Sequence, residues 1–325
     1  MTMTGFSFPL EGKRVWVAGH RGLVGSAVAR RLVREGATVL GVPRADLDLR
    51  RAADVEGWLD ANRPDAIVLA SGTVGGILAN DSRPAEFLHD NLAIADAVIH
   101  GAWRTGVPRL LYLGSSCIYP RLAPQPMAEA ALLTGPLEPT NQWYALAKIA
   151  GIRLCQAYRR QYGCDFVSAM PTNLYGPGDS FDPAASHVLP AAVRKVHAAK
   201  VHGRETVEVW GTGAPLREFL HVDDLADGLI FLLKRYSAEA HINVGSGSEI
   251  SIADLYRLVA EVVGWEGRFV FDTTKPDGMP RKLMDGSRMA AMGWHPSIAI
   301  RDGLRQTYAW FLEQSGRADS GPGPA

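Results

Sequence analysis

Three side chains in the middle of the sequence have the types and spacing that proton transfer to a carbonyl oxygen requires. In the segment NQWYALAKIAG, Tyr144 and Lys148 stand four positions apart in a helical pattern. They therefore lie on one helix face, about 6 Å apart along the axis. A neighbouring ammonium favours the phenolate and is expected to bring the tyrosine pKa down toward neutrality. Upstream, Ser115 ends an apolar run, and its hydroxyl can hold the oxygen that Tyr144 protonates.

A Tyr-x-x-x-Lys pair is common by chance, and its meaning depends on a second motif, GHRGLVG. This motif places Gly19, Gly22 and Gly25 between a predicted strand and a predicted helix. The first glycine permits a tight turn, the second lets the backbone approach a pyrophosphate, and the third lets the helix pack closely on the strand. The helix N-terminus then faces the anion, so the loop predicts a dinucleotide site.

The residues after the second predicted strand indicate which dinucleotide binds. An NAD enzyme usually places Asp or Glu there to hold the ribose 2′-hydroxyl. The segment VLGVPRAD instead has Arg44, and no acidic residue before Asp46. Guanidinium groups from Arg44 and Arg21 suit a 2′-phosphate, which they can bind in a bidentate manner. We expect NADP(H) as the cofactor; the competing interpretation of Arg44 is an ordinary surface arginine.

A cysteine, Cys117, lies two residues beyond Ser115 in GSSCIYP. Free cysteines are usually small buried residues, and by itself Cys117 fits that interpretation. A thiol at a catalytic strand end can also act in proton exchange. The residues alone leave both interpretations open.

The elements that must position these groups alternate along the first half of the sequence. Apolar runs predict buried strands and 3.6-residue periodicity predicts helices. The strands are expected at 14–19, 37–42, 65–71, 109–116 and 165–177, and the helices at 23–36, 51–63, 91–106 and 144–163. This alternation predicts an α/β fold, a Rossmann-type doubly wound parallel sheet with helices on both faces. Ligands bind beyond the carboxyl ends of such strands, where the motifs above fall.

Beyond residue 180 the pattern loosens. Helices are expected at 188–201, 222–236 and 251–264, and strands at 207–213 and 241–247. We predict an NADP-binding Rossmann domain over 1–180, with returning elements around 217–247. Residues 181–216 and 248–315 are predicted to form a smaller C-terminal substrate-binding lobe. The small, Pro- and Gly-rich residues 316–325 predict a disordered tail.

Composition argues against several classes of protein. The 34 basic residues balance the 34 acidic ones, so no net charge attracts nucleic acid or anionic lipid. No apolar stretch reaches the roughly 18 residues of a membrane span, and the three cysteines lack the spacing of a zinc site or disulfide framework. We expect a cytoplasmic protein with no metal site, no nucleic-acid partner and no membrane association.

The chain resembles the extended short-chain dehydrogenase/reductases, and within them closely the GDP-L-fucose synthases (GDP-4-keto-6-deoxy-D-mannose 3,5-epimerase/4-reductases). The resemblance covers residue 19 to about 285. It rests on the segments GHRGLVGSAV, VGGILAN, LGSSCIYP, QPMAE, EPTN, YALAKIAGI, MPTNLYGP, SHVLPA, VWGTG, REFLHVDD, HINVGSG and KPDGMPRKLMD.

In that family one site epimerises carbons 3 and 5 of a 4-keto sugar and then reduces the ketone with NADPH. The ketone acidifies both flanking C–H bonds, and Tyr144 and Ser115 would stabilise the enolate oxygen. The resemblance implies that Cys117 and His187 exchange protons on opposite faces of the sugar. The implied catalytic residues are Ser115, Cys117, Tyr144, Lys148 and His187.

The resemblance also implies the binding residues. The implied cofactor contacts are Gly19, His20, Arg21, Gly22, Leu23, Val24, Gly25, Arg44, Leu113, Gly114, Tyr144, Lys148, Pro171, Asn173, Leu174 and His187. The implied substrate contacts are Ser116, Asn173, Lys195, Trp210, Arg217 and Asp277. The substrate would be a GDP-sugar, and the assembly a homodimer through helices such as 91–106 and 144–163.

Two positions depart from the family pattern. Thr73 stands where lysine precedes VGG, and Trp143 where proline commonly precedes the catalytic tyrosine. Both flank the predicted site, so a related GDP-4-keto-hexose or heptose, of the colitose or deoxy-heptose type, is an alternative substrate. A non-catalytic NADP-binding sensor is a second alternative. It would be expected to lose part of the Ser/Tyr/Lys set, which is complete here.

Overall fold

The computed structural model describes residues 6–183, 186–275 and 277–319. Its strands are β1 (Arg14–Ala18), β2 (Thr38–Leu40), β3 (Ala66–Leu69), β4 (Arg109–Leu113), β5 (Asp165–Pro171), β6 (Asn173–Tyr175), β7 (Thr206–Trp210), β8 (Leu216–His221), β9 (Ile242–Val244), β10 (Glu249–Ser251), β11 (Arg268–Asp272) and β12 (Arg281–Lys282). Its helices are α1 (Leu23–Arg34), α2 (Ala52–Asn62), α3 (Ile77–Ser82), α4 (Pro84–Arg104), α5 (Gln142–Tyr162), α6 (Val188–Val201), α7 (Val222–Arg235), α8 (Ile252–Val263), α9 (Ser287–Ala291) and α10 (Ile300–Asp319).

The larger layer is a six-stranded parallel sheet in the order β2-β1-β3-β4-β5-β9. Its central strands β3 and β4 are buried along their whole length because helices cover both faces. Helices α2, α4 and α5 pack on one face, and α1 and α7 on the other. The predicted Rossmann-type doubly wound sheet is therefore confirmed. The strand order reverses at β1, which places a ligand crevice at its carboxyl end.

Helix α4 begins earlier than the sequence pattern predicted. The expected start was residue 91, whereas the helix starts at Pro84. Proline is favoured in the first helical turn, where its missing N–H needs no partner and its φ is already helical. The seven additional residues, 84–90, include Phe87 and Asp90, which brings this part of α4 beside the loop after β3.

The smaller lobe is built around β8. Strands β10 and β12 flank β8 in the order β10-β8-β12, β6 also pairs with it, and β7 pairs with β11 in a separate ribbon. Helices α6, α8 and α10 bury an apolar core against these strands. Within the segment 217–247, α7 and β9 join the large layer, whereas β8 belongs to the small sheet. The position of β8 differs from the predicted return to the main sheet because its edges pair with the short strands of the lobe.

Helix α10 continues to Asp319, so residues 316–319, predicted as the start of a disordered tail, are helical. The remaining predicted tail, 320–325, lies outside the described residues. Proline, the residue that stops a helix most strongly, is absent between residue 300 and Pro322, which is consistent with the longer helix. Within the described part of the chain, every helix is too short or too polar to cross a membrane.

Candidate active site

The glycine loop after β1 leaves no room for side chains where a dinucleotide would approach. Gly19 has φ +94°, and a Cβ there would lie 3.0 Å from the Ser71 backbone. A Cβ on Gly25 would lie 2.0 Å from the carbonyl oxygen of Gly19, so α1 packs directly against the turn. Gly22 begins α1 without any side-chain cap. The N–H groups of the first turn are thus available to an anion, and this cradle fits a pyrophosphate.

The end of β2 carries the residues predicted to select NADP. Arg21 and Arg44 are both exposed, and neither forms an ion pair with a carboxylate in the described part of the chain. Gly41 makes room for the His20 ring, since a Cβ at that position would lie 2.7 Å from the ring carbon Cγ. Two unpaired guanidinium groups beside the cradle fit a 2′-phosphate.

The end of β4 presents Ser115 and Cys117 together. Ser115 caps a 3₁₀ turn over Ser116–Ile118, and its Oγ accepts a hydrogen bond from the Cys117 N–H at 3.3 Å. Cys117 is half-buried, whereas Ser116 is only 4% exposed. The turn therefore brings the Cys117 side chain to the same strand end as the Ser115 hydroxyl.

Two donors that sequence reasoning did not identify contact the Cys117 sulfur. The amide Nδ2 of Asn141 lies 3.4 Å from Sγ, and the ammonium Nζ of Lys282 lies 3.5 Å from it. Asn141 precedes α5 and Lys282 ends β12. Both residues occur in segments that carry the family resemblance, but neither their types nor their spacing gave a signal for this contact.

Tyr144 and Lys148 occupy one face of α5, as the sequence predicted. Lys148 is 5% exposed, its Nζ donates to the carbonyl of Leu113 at 2.9 Å, and it lies 5.7 Å from the centre of the Tyr144 ring. Burial lowers the pKa of Lys148 to about 8.

The expected lowering of the Tyr144 pKa is not found. Burial raises it, the negative form of Cys117 raises it further, and the interaction with the Ser115 side chain offsets only part of the rise. The Lys148 ammonium is directed to a carbonyl, so desolvation of the phenolate dominates.

His187 precedes the first residue of α6 with extended backbone, and its ring does not cap its own helix. The His187 side chain is exposed to solvent, yet many protein atoms lie around its ring. This combination is typical of a residue that lines a cleft. Desolvation lowers its pKa, and the Lys282 cation lowers it further. Lys282 thus acts electrostatically on His187 and contacts Cys117.

The predicted junction between cofactor and sugar lies at the ends of β4 and β5. Asn173 is half-buried and its Nδ2 donates to the Glu218 carbonyl at 2.7 Å. Gly114 must lack a side chain, because a Cβ there would lie 2.3 Å from the Met170 sulfur. Pro171 is buried and Leu174 is half-buried beside them.

Trp210, predicted to contact substrate, is 46% exposed at the end of β7. The ammonium groups of Lys195 and Lys275 lie over its ring, 5.3 Å and 5.7 Å from the centre. Lys195 also donates to the Glu208 carbonyl at 3.1 Å, and burial lowers its pKa. An exposed indole flanked by cations suits a nucleobase and its phosphates.

Arg217 and Asp277 form the second predicted substrate pair. Arg217 donates to the backbone carbonyl of Asp277 at 3.3 Å, and burial lowers the Arg217 pKa. The Asp277 carboxylate accepts hydrogen bonds from the backbone N–H and the hydroxyl of Thr212 at 2.7 Å and 2.8 Å. Asp277 thereby fixes the loop after β7, and Arg217 is the member of the pair that can meet a diphosphate.

The two departures from the family pattern have ordinary environments. The Thr73 N–H donates to Asn91 and its hydroxyl to Asp90, both at 3.1 Å, so the loop after β3 is fixed to α4. Trp143 is 39% exposed in the first turn of α5. Neither residue displaces Tyr144 or Lys148 from the site.

This arrangement is typical of an enzyme that binds a dinucleotide at the carboxyl end of β1, where the strand order reverses. Such an enzyme would transfer protons at the end of β4. The profile of the NAD dependent epimerase/dehydratase family matches residues 15–245. The chain belongs to that family, on its GDP-L-fucose synthase branch.

Named relatives extend the match over nearly the whole chain. GDP-L-fucose synthase 1 of Arabidopsis thaliana is 60% identical over 93% of this chain and 94% of its own length. GDP-L-fucose synthase of Escherichia coli K12 is 49% identical over 95% and 99%. The crystal structure of a GDP-L-fucose synthetase from Naegleria fowleri bound to NADP superposes with a TM-score of 0.89 at 27% identity, covering 96% and 98% of the two chains.

Proposed function

We propose that this protein converts GDP-4-keto-6-deoxy-D-mannose to GDP-L-fucose, by epimerisation at C3 and C5 followed by NADPH-dependent reduction at C4. The observation that carries the proposal is the position of the half-buried Cys117 beside Ser115, at the same strand end as the Ser/Tyr/Lys set. The naming of relatives up to 60% identical supports the same reaction.

Epimerisation uses the acidity that the 4-keto group gives to C3 and C5. The hydroxyls of Ser115 and Tyr144 donate to the ketone oxygen and stabilise the enolate as it forms. Cys117 takes the proton from the carbon, and the His187 imidazolium delivers a proton to the opposite face. Exchange with solvent restores both groups before the second carbon reacts.

Reduction uses the same oxygen contacts. NADPH, when bound, supplies the hydride. Because burial raises the pKa of Tyr144, its phenol is protonated and can donate the proton to the C4 oxygen. Lys148 holds the end of β4 against α5 through the Leu113 carbonyl, which keeps Tyr144 beside Ser115.

The small lobe binds the nucleotide part of the substrate. Trp210 stacks on the guanine, while Lys195 and Arg217 contact the diphosphate. The lowered pKa values of the two basic groups reflect burial that anionic oxygens would compensate.

The protein acts as a cytoplasmic homodimer through α4 and α5. Exposed Leu92 and Leu146 lie on this helix pair, and a groove of about 420 Å³ between the helices is lined by His89, Leu92, Ala93, Ala95, Asp96, Ala150, Gly151 and Leu154. Three free thiols, Cys117, Cys155 and Cys164, suit a reducing compartment. Light scattering after gel filtration tests the dimer, and Leu92→Glu is expected to give a monomer.

The test of the reaction is incubation with GDP-4-keto-6-deoxy-D-mannose and NADPH in D₂O. We expect GDP-L-fucose with deuterium at C3 and C5, identified by mass spectrometry and NMR. Product with deuterium at one carbon would limit the epimerase to that position. Failure with this sugar, together with turnover of a related GDP-4-keto-heptose, would overturn the proposal.

A further inference from the structure

Lys282 is a buried cation that has no carboxylate partner in the described ranges of the chain. It is 9% exposed, and it forms no ion pair among the residues that the structure describes. Its ammonium lies 3.5 Å from the Cys117 sulfur. Burying an unpaired ammonium is costly, and an apolar side chain would serve packing better. The position of this ammonium beside a sulfur is therefore a candidate for a functional role.

The backbone around Lys282 holds this ammonium in place. Strand β12 pairs with β8 so that Lys282 stands opposite Arg217. The next two residues are fixed by side chains, since the Leu283 N–H donates to Gln125 at 2.9 Å and the Met284 N–H to the buried Glu218 carboxylate at 3.0 Å. The contact with Cys117 thus follows from the docking of the lobe on the large layer.

Asn141 is a second donor to the same sulfur. It occupies the N-cap position of α5, where an asparagine side chain ordinarily accepts a hydrogen bond from its own helix. Here it makes no cap bond, and its Nδ2 lies 3.4 Å from the Cys117 sulfur. Two donors from separate elements therefore converge on one atom.

An ammonium has no acceptor site, so the sulfur must accept in this contact. A sulfur that accepts from a cation and an amide is stabilised in its negative form. We propose that Lys282 and Asn141 are positioning residues that hold Cys117 as a thiolate, ready to act as the base. The step from thiolate to epimerisation base rests on the proposed function.

Lys282 also acts on His187, the proposed proton donor. Burial lowers the pKa of His187 and Lys282 lowers it further, so a larger share of the imidazole is neutral near pH 7 and the imidazolium that forms is a stronger acid. The other ionisable group near Cys117 is Tyr144 on α5, which remains protonated because burial raises its pKa. Ser115 at the end of β4 contributes only a neutral hydroxyl.

The test measures the thiolate directly, without substrate. Iodoacetamide alkylation of the full chain is followed against pH and resolved by peptide mass spectrometry in wild type, Lys282→Met and Lys282→Arg. We expect the pH midpoint of Cys117 alkylation to rise by about one pH unit in Lys282→Met and to stay near the wild-type value in Lys282→Arg. Asn141→Leu should give a smaller rise in the same direction.

The chain offers two internal controls. Cys164 is a half-buried thiol whose midpoint should stay constant in all variants. Lys200→Met removes a lysine that donates to the Val263 carbonyl in the lobe, and it should leave Cys117 unchanged. If Lys282→Met does not fold, Lys282→Gln, one bond shorter than lysine, keeps a donor while removing the charge. An unchanged Cys117 midpoint in the folded uncharged variant would overturn the inference.

Deuterium uptake at C3 and C5 then separates this inference from the proposed function. We expect Lys282→Met to slow uptake about tenfold at neutral pH and to regain rate at higher pH, whereas a structural defect would not recover with pH. If Lys282→Met shifts the alkylation profile but wild type exchanges no deuterium, the proposed function is refuted. The inference that Lys282 stabilises the Cys117 thiolate would then still hold. If Lys282→Met exchanges deuterium at the wild-type rate and its alkylation profile is unshifted, the proposed role of Lys282 is refuted.

Discussion

The residues proposed for reduction (the reductase group) and those proposed for epimerisation (the epimerase group) differ in how the chain assembles them. Ser115, Tyr144 and Lys148 come from the end of β4 and from α5, which packs directly against it. Cys117, His187 and Lys282 come from a 3₁₀ turn, the start of α6 and a two-residue strand in the lobe. The first group belongs to the large layer, and the second exists only when the lobe is docked.

This difference explains why the two activities should respond differently to mutation. The reductase group depends on helix spacing and on one buried lysine, both within a strand–helix unit. The epimerase group depends on the pairing of β12 with β8, far from Cys117 in sequence. Losing the Lys282 contact alone should therefore affect proton exchange at C3 and C5 more directly than hydride transfer to C4.

The largest effect is expected from Tyr144→Phe. Losing the proton donor should lower the rate of NADPH consumption about 10³-fold, because general acid catalysis contributes roughly 10²–10⁴-fold. Deuterium uptake at C3 and C5 should fall far less, since Ser115 still donates to the enolate oxygen. Tyr162→Phe, at the exposed end of α5, is the matched control and should change neither rate. If Tyr144→Phe lowers NADPH consumption and deuterium uptake equally, the reductase and epimerase groups do not act independently.

Cys117→Ser should have the next largest effect, and it should act on epimerisation. Deuterium uptake is expected to fall about 10²-fold because the hydroxyl is a far weaker base than a thiolate. His187→Gln should have a similar effect on deuterium uptake. NADPH binding, followed by fluorescence, should persist in Cys117→Ser. Cys164→Ser serves as the control. Intact uptake in Cys117→Ser would place the base elsewhere.

Lys148→Met should raise stability while abolishing reduction. Burial lowers the pKa of folded Lys148 to about 8, below the unfolded value of about 10.4, so between these values the unfolded chain binds one proton more. The wild-type free energy of unfolding should therefore rise with pH from about 8 to about 10, relative to the methionine variant.

At neutral pH the lowered pKa costs wild type about 3 kcal/mol, and loss of the bond to the Leu113 carbonyl offsets about 1 kcal/mol of the gain in Lys148→Met. The variant should therefore be about 2 kcal/mol more stable than wild type, as urea unfolding would measure. The difference should shrink as pH approaches about 10. Lys275→Met, which removes an exposed lysine, is the control and should show no such slope. A constant difference between wild type and Lys148→Met at all pH values would contradict the assigned titration.

Arg44→Ala should have the smallest effect and tests the cofactor side alone. We expect NADPH affinity to fall about tenfold, or about 1.4 kcal/mol, because one charge-assisted contact to the 2′-phosphate is lost. NADH affinity should not change. Arg34→Ala, at the far end of α1, should leave both affinities as in wild type. A parallel loss of NADH affinity would argue for a structural role of Arg44.

The reductase group could be predicted from the sequence, and most of the epimerase group could not. The glycine loop and the Tyr144–Lys148 spacing follow from helix and turn geometry over a few residues. Cys117 and His187 were assigned only through family resemblance, since each alone fits a structural role. Lys282 and Asn141 gave no signal, because a two-residue strand has no periodicity and a cap asparagine is expected to serve its own helix.

The sequence by itself determined the parallel sheet, the dinucleotide loop and the shared face of Tyr144 and Lys148. These features depend on local periodicity and on contacts within about four residues, which composition and spacing encode directly. Only the tertiary structure decided that burial raises the pKa of Tyr144 and that Lys282 contacts Cys117 from 165 residues away. Desolvation and charge proximity depend on which distant strands pair, and no local pattern specifies that.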